Sequence, residues 1–190
     1  MKPDIEIQII PACKLTWLQK KAIQDLCTRA YGEDVWCDYD YLNSAFHVVG
    51  FDQEQIVSHA LWVERCLNVN GVEPLLTAYV EYVATEPSMQ GLGLASQLLR
   101  FLIDAIQNLE FLETELHQGV RYQLAALAPE DSNFYERLGW ELWRGDLCVH
   151  QNGQQIATPD DDVMIYRLAS TPKISVNDVL SAEWREGELW

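Results

Sequence analysis

The chain has 190 residues, 48% of them hydrophobic, which is enough for one well-buried domain and short for two. Its formal net charge of −16 and pI near 4.4 argue against nucleic-acid and anionic-membrane partners, which such a surface field repels, and suit either a cationic small ligand or plain solubility. Five scattered Cys without a Cys-x-x-Cys pair, four His without metal spacing, and no apolar run approaching the roughly 18 residues of a membrane helix give the expectation of a reduced, cytoplasmic, metal-free protein without a leader.

Ile5, Ile7 and Ile9 alternate with polar residues and predict an opening strand, and Leu15 to Ala30 has helical periodicity with Leu18, Ile23 and Leu26 as core positions. From Ala45 to Ala84 the period becomes that of strands: Phe46 to Phe51, a polar turn at Asp52 to Gln55, Ile56 to Leu67, then Leu75 to Ala84. Asn70-Gly71 between the last two runs is a hairpin signal. A glycine-rich turn leads to a helix from Ala95 to about Gln107, and after a polar stretch Tyr122 to Leu127 reads as a strand closed by Pro129. Asp131, Ser132 and Asn133 are N-cap candidates for a short helix over Phe134 to Leu138 that stops at Gly139. Trp140 to Val149 and Val163 to Leu168 predict a final antiparallel pair, and the tail after Ala169 has no predicted topology. Strands, a helix and more strands make the fold class α+β, as a single domain over residues 1–190.

The run Val83-Ala84-Thr85-Glu86-Pro87-Ser88-Met89-Gln90-Gly91-Leu92-Gly93-Leu94-Ala95 passes from strand through turn to helix, the layout of a phosphate cradle. Backbone N–H groups converge there, the helix dipole favours an anion, and Gly91 and Gly93 allow close approach. Leu94 and Ala95 stand where a nucleotide-hydrolase loop needs Lys and Ser or Thr, so ATP or GTP chemistry is disfavoured. A dinucleotide fingerprint needs a third glycine and an early βαβ unit, and is disfavoured too. The plain alternative is a turn that merely joins a strand to a helix.

The pattern Gln90, Gly93, Ala95 resembles the pyrophosphate-binding loop of the GCN5-related N-acetyltransferase (GNAT) family. The resemblance implies a central mixed, mostly antiparallel twisted sheet flanked by helices. It also implies acetyl-coenzyme A as co-substrate, held by Val83, Ala84, Gln90, Gly91, Leu92, Gly93, Leu94, Ala95 and Ser96. Acetyl transfer to an amine needs a proton acceptor, an oxyanion donor and a proton source for the thiolate. On strand alternation Tyr79, Glu81 and Val83 share a face, where partial desolvation would suit Glu81 to accept a proton, directly or through water; the alternative is an exposed strand glutamate. The backbone N–H of Val83 is the implied oxyanion donor. Tyr135 is the candidate acid, since a phenol of pKa about 10 keeps its proton at neutral pH. Its segment, Asn133 to Trp140, resembles the family's Asn, Tyr and Gly-Phe signature with Trp140 in place of Phe.

Thr158-Pro159-Asp160-Asp161-Asp162, Trp184-Arg185-Glu186-Gly187-Glu188-Leu189-Trp190 and Tyr79-Val80-Glu81-Tyr82-Val83-Ala84 are similar to segments of aminoglycoside 2′-N-acetyltransferases, in collinear order. That resemblance implies Glu81 as base through water and Tyr135 as acid, with direct attack of a 2′-amine in a ternary complex. Glu33, Asp38, Asp161, Glu188 and the carboxylate of Trp190 are the implied ligands for substrate amines and hydroxyls, with Asp34 or Asp40 as replacements for either of the first two. A polycation rich in hydroxyls needs several such acceptors. Gln90 stands where many relatives have Arg, and Tyr82 where they often have a smaller residue. Two other readings stay open: an acetyltransferase of the same fold for a polyamine, a metabolite amine or a peptide N-terminus, and a non-catalytic binder of acyl-coenzyme A or cationic drugs. A homodimer is implied by analogy with the family alone.

Overall fold

The opening isoleucines form β1 (Glu6–Pro11), which pairs antiparallel with β2 (Phe46–Asp52); β2 in turn pairs antiparallel with β3 (Gln55–Val69) across the predicted polar turn. A computed structural model gives these elements and describes residues 4–37, 39–71, 73–108, 121–187 and 189–190. Its contacts divide the chain into one unit of Met1–Val63 with Val80–Asp104 and another of Glu64–Tyr79 with Ala105–Trp190.

In the first unit, α1 (Trp17–Tyr31) starts at a capping box in which Thr16 and Gln19 satisfy each other's backbone amides, and it ends at Gly32 in the left-handed conformation, φ +79°. Ile23, Leu26 and Cys27 on its inner face are buried against Val49, Ile56 and Ala84. Leu18, expected in the core, is instead 71% exposed. It lies five residues before Ile23 and so roughly 140° away around the helix. α2 (Leu94–Gln107) buries Leu98, Leu99 and Leu102. It approaches β2 closely at Gly50, where an added Cβ would stand 3.5 Å from Leu98 Cδ1 and 2.9 Å from Ile5 Cδ1.

The second unit is built on the later part of β3 and the earlier part of β4 (Leu75–Thr85). Asn70 and Gly71, in the connection between β3 and β4, both have positive φ, +53° and +67°. β5 (Leu124–Leu127) runs parallel to β4, and β9 (Met164–Arg167) lies antiparallel between β5 and β6 (Glu141–Leu142). Beyond β3 come β10 (Leu180–Glu183), β7 (Leu147–Gln151) and β8 (Gln154–Ala157). β10 pairs antiparallel with β3 and parallel with β7, so the pairing is mixed and mostly antiparallel, as the resemblance implies.

The tail thus supplies an internal strand, which strand patterning alone did not reveal. The expected pair of Trp140 to Val149 with Val163 to Leu168 is corrected in one half: Glu141–Leu142 pairs with β9, whereas Leu147–Gln151 joins β8 and β10. The chain changes neighbours at Gly145, whose N–H donates to Val176 O at 2.9 Å. Its missing side chain makes this crossing possible, since an added Cβ would lie 1.9 Å from Asp178 O.

Candidate active site

β4 carries Glu81, and the strand alternation expected through it breaks one residue later. Tyr82 has φ +51°, a left-handed conformation that costs a bulky residue about 1–2 kcal/mol and turns the following residues out of register with those before it. Hence Tyr79, Glu81 and Val83 do not simply share a face. Neighbours in the first unit fix the turn. His59 Nδ1 lies 3.0 Å from the Tyr82 carbonyl, Tyr31 donates its hydroxyl to Val83 O at 3.1 Å, and the Trp36 ring packs against Tyr82 at 4.7 Å between centroids. Burial pushes the Tyr82 phenol up to about 12, so it is a neutral wall. Glu81 is half-buried and accepts a hydrogen bond from Tyr41 Oη at 3.4 Å on Oε2.

Directly after this turn comes the glycine-rich run. Gly91 and Gly93 adopt φ +76° and +87°, which explains their residue type, and nothing lies within 4 Å of a Cβ placed on Gly91. Gln97 N–H closes the first helical bond onto Gly93 O at 3.1 Å, so the amides of Leu94, Ala95 and Ser96 belong to the open end of α2. Ala84 and Leu94 are buried and offer only backbone. Gln90 and Gly91 are exposed, as is Leu92 at 44%. Gln90 Nε2 is turned onto its own turn, donating to Thr85 O at 3.3 Å. Thr85 Oγ1 is buried and has no hydrogen-bond partner among the described residues. The loop therefore presents amides, a helix end and one orphaned hydroxyl, a donor set that fits a diphosphate.

In the second unit, α3 (Ser132–Glu136) is capped by Asp131, which accepts from Asn133 N, and it carries Tyr135. The Tyr135 ring packs edge-on against Phe134 and Trp140, and its phenol is pushed up to about 12 by burial, with Glu130 and Asp131 adding to the shift. It therefore keeps its proton throughout the physiological range, as a proton donor must.

The same unit joins two of the expected substrate segments. Trp190 is 4% exposed and its Nε1 donates to Thr158 Oγ1 at 2.8 Å; Thr158 O in turn accepts from the Asp161 N–H at 3.3 Å. Asp161 itself is exposed. Arg65 donates to Leu189 O at 2.9 Å and to Glu183 O at 3.2 Å, and both Arg65 and Arg185 lie over the Tyr79 ring. Glu33, in the first unit, is exposed just after α1, and Asp38 and Glu188 lie outside the described residues.

Sequence reasoning missed Tyr41, His59, Thr158 and Arg65. Only Arg65 had a readable signal: it falls on the same strand parity as Val63 and Leu67, an inward position where a cation needs partners.

Residues 19–143 match the acetyltransferase (GNAT) domain model. The chain belongs to the GNAT acetyltransferase family. Solved structures agree on the GNAT fold. The GNAT family N-acetyltransferase YhbS of Escherichia coli, solved in complex with CoA, matches with a TM-score of 0.60 at 20% identity over 96% of this chain and 92% of its own. An acyl-CoA N-acyltransferase of Pseudomonas aeruginosa matches with a TM-score of 0.56 at 15% identity, covering 86% of this chain and 99% of that one. Eis1 of Mycobacterium abscessus matches with a TM-score of 0.58 at 15% identity over 76% of this chain. The GNAT chain described here spans about a third of the length of some matched proteins, 33% for Eis1 and 32% for a probable N-acyltransferase of Enterococcus faecalis.

Proposed function

We propose that this GNAT protein transfers the acetyl group of acetyl-coenzyme A to a primary amine of a small polycation, specifically the 2′-amine of an aminoglycoside, by direct attack in a ternary complex. One observation carries the reading: half-buried Glu81 sits on the strand that, after its left-handed turn at Tyr82, leads through the glycine-rich loop to the N-terminal end of α2. A base and a diphosphate cradle carried by one continuous strand, loop and helix suit transfer from a coenzyme A thioester.

Acetyl-coenzyme A would supply the activated acyl carbon. Its pyrophosphate would lie on the amides of residues 91 to 96, with Thr85 Oγ1 as a spare donor and the backbone of Val83 and Ala84 along the arm. The acceptor nitrogen attacks the thioester carbon, the C–S bond breaks, and an N–C amide bond forms. Glu81 would take the ammonium proton through water and the Val83 N–H would stabilise the oxyanion, with Tyr135 as the acid that the sequence resemblance implies for the thiolate.

The polycation is favoured by the −16 net charge and by the ordered turn at Asp161, to which Trp190 is tied through Thr158. Glu33, Asp38 and Glu188 complete the acceptor set that the sequence resemblance implies.

The test is coenzyme A release from acetyl-coenzyme A with aminoglycosides bearing a 2′-amine, with matched 2′-hydroxyl analogues, and with spermidine. Rapid release confined to the 2′-amines supports the proposal. Release with spermidine alone moves the acceptor to a linear polyamine, and binding of both ligands without release makes the protein a non-catalytic binder.

A further inference from the structure

Two buried histidines stand behind the Tyr82 turn. His59 is fully buried and His47 is 3% exposed. His47 Nδ1 lies 2.9 Å from His59 Nε2, and His59 Nδ1 lies 3.0 Å from Tyr82 O. The groups facing the pair are Lys20 from α1, Trp36 from the segment after it, and Tyr82 from β4. Burial drives both imidazoles toward the neutral form, and Lys20 acts on His47 in the same direction.

For neutral rings, the protons are determined by chemistry. A carbonyl only accepts, so His59 Nδ1 carries the hydrogen and its Nε2 is a bare acceptor. His47 must then donate from Nδ1, which leaves His47 Nε2 as an acceptor without a hydrogen-bond partner among the described residues. His47 lines a pocket of about 170 Å³ with Trp36, Tyr39 and Leu42. Because the chain of hydrogen bonds ends on a carbonyl, which cannot pass a proton on, the pair is no proton relay. What it fixes is direction.

We propose that His59, whose Nδ1–H tautomer is set by the Tyr82 carbonyl and matched by the His47 donor on its other nitrogen, is a positioning residue that holds the left-handed Tyr82 turn and thereby aims the Glu81 carboxylate and the Val83 amide. Without that donor, the Tyr82 carbonyl loses its bond to His59 while Tyr82 retains its backbone strain, and relaxation of φ toward the extended region swings the peptides on both sides. The catalytic consequence rests on the roles proposed above for Glu81 and Val83.

The test uses side-chain geometry. Asn places an amide N–H close to the position of His Nδ1, Gln places one at the position of Nε2, and Leu has neither. His59→Leu and His59→Gln are expected to lower kcat about 10- to 100-fold, as a displaced catalytic group does, while the acetyl-coenzyme A Kd changes little. His59→Asn is expected to recover most of the rate. Equal kcat in Leu, Gln and Asn variants, normalised to folded protein, would overturn the proposal, since a merely structural role lowers stability without separating them.

Nitrogen-15 NMR of the wild-type histidines decides independently of folding in any variant: an Nε2–H tautomer at His59 overturns the assignment. If the wild type acetylates no amine, the reading of function fails alone. The positioning claim is then decided by the Val83 and Ala84 amide resonances, which must move in His59→Leu and return in His59→Asn.

Discussion

The Trp190 indole donates a hydrogen bond to Thr158 Oγ1 at 2.8 Å, tying the end segment to the turn that carries Asp161. Both side chains are buried, so the bond is shielded from water. Trp190→Ala removes a large buried ring and frees that segment from the turn. The expected outcome is an acceptor KM raised about tenfold with the acetyl-coenzyme A KM little changed. Thr158→Val, which keeps the shape but orphans the indole N–H, should show the same pattern more weakly. Steady-state kinetics with each substrate varied in turn checks this, and equal rises in both KM values would make the contact purely architectural.

Glu81→Gln keeps the size of the side chain and its contact with Tyr41 but removes the proposed proton acceptor. At neutral pH kcat is expected to fall on the order of 100-fold with near-normal acetyl-coenzyme A affinity. Unchanged turnover would take Glu81 out of the base role.

Much of the first unit was legible because local patterns agreed with tertiary ones. The alternating isoleucines and the glycine-rich run each dictate one local geometry, and each took that geometry. The Tyr82 turn was not legible, since a left-handed tyrosine is locally unfavourable and is held by His59 and Tyr31 from distant parts of the chain. The same holds for β10, where Leu180–Glu183 is short and becomes a strand through its neighbours β3 and β7. At the candidate site, the proximity of Glu81 to the glycine-rich loop could be read because both lie on one short stretch of sequence. Thr158 could not be read, because its partner Trp190 is brought to it only by folding.

Tyr135→Phe deletes the phenol without emptying its aromatic contacts with Phe134 and Trp140. Loss of the proposed proton donor should lower kcat about 10- to 100-fold. Because burial, Glu130 and Asp131 push the wild-type phenol up to about 12, its ionisation contributes no alkaline fall in rate below about pH 10. A pH profile of kcat with an alkaline limb near pH 9 that vanishes in Tyr135→Phe contradicts that environment.

Gly145→Ala places a methyl 1.9 Å from Asp178 O and 2.7 Å from Asn177 C, both main chain and unable to swing aside as a side chain would. The Gly145 amide is also committed to Val176 O, and Asp178 O already accepts from Trp143 Nε1 at 2.8 Å. A destabilisation of more than about 2 kcal/mol is expected. Gly71→Ala has no neighbour to strike and strains only φ, so its melting temperature should fall less. Thermal melts of the two variants measured side by side check the order.

The histidine pair makes folding stability depend on acid. Burial, and then the Lys20 charge, lower His47 to about 4; burial, and then His47, lower His59 well below its ordinary value against the opposing hydrogen bond to Tyr82. In the unfolded chain both titrate near pH 6.5. Between about pH 6.5 and pH 4 the unfolded state therefore binds protons that the native state refuses, so stability is full above this window and is lost as pH falls through it. For His47 the loss amounts to roughly 3 kcal/mol by pH 4. Urea midpoints measured from pH 7.5 down to 4.5 should fall steeply in the wild type and more gently in the His47→Asn, His59→Asn double variant, which has nothing to titrate at either position. An identical slope in both proteins would place the acid sensitivity elsewhere in the chain.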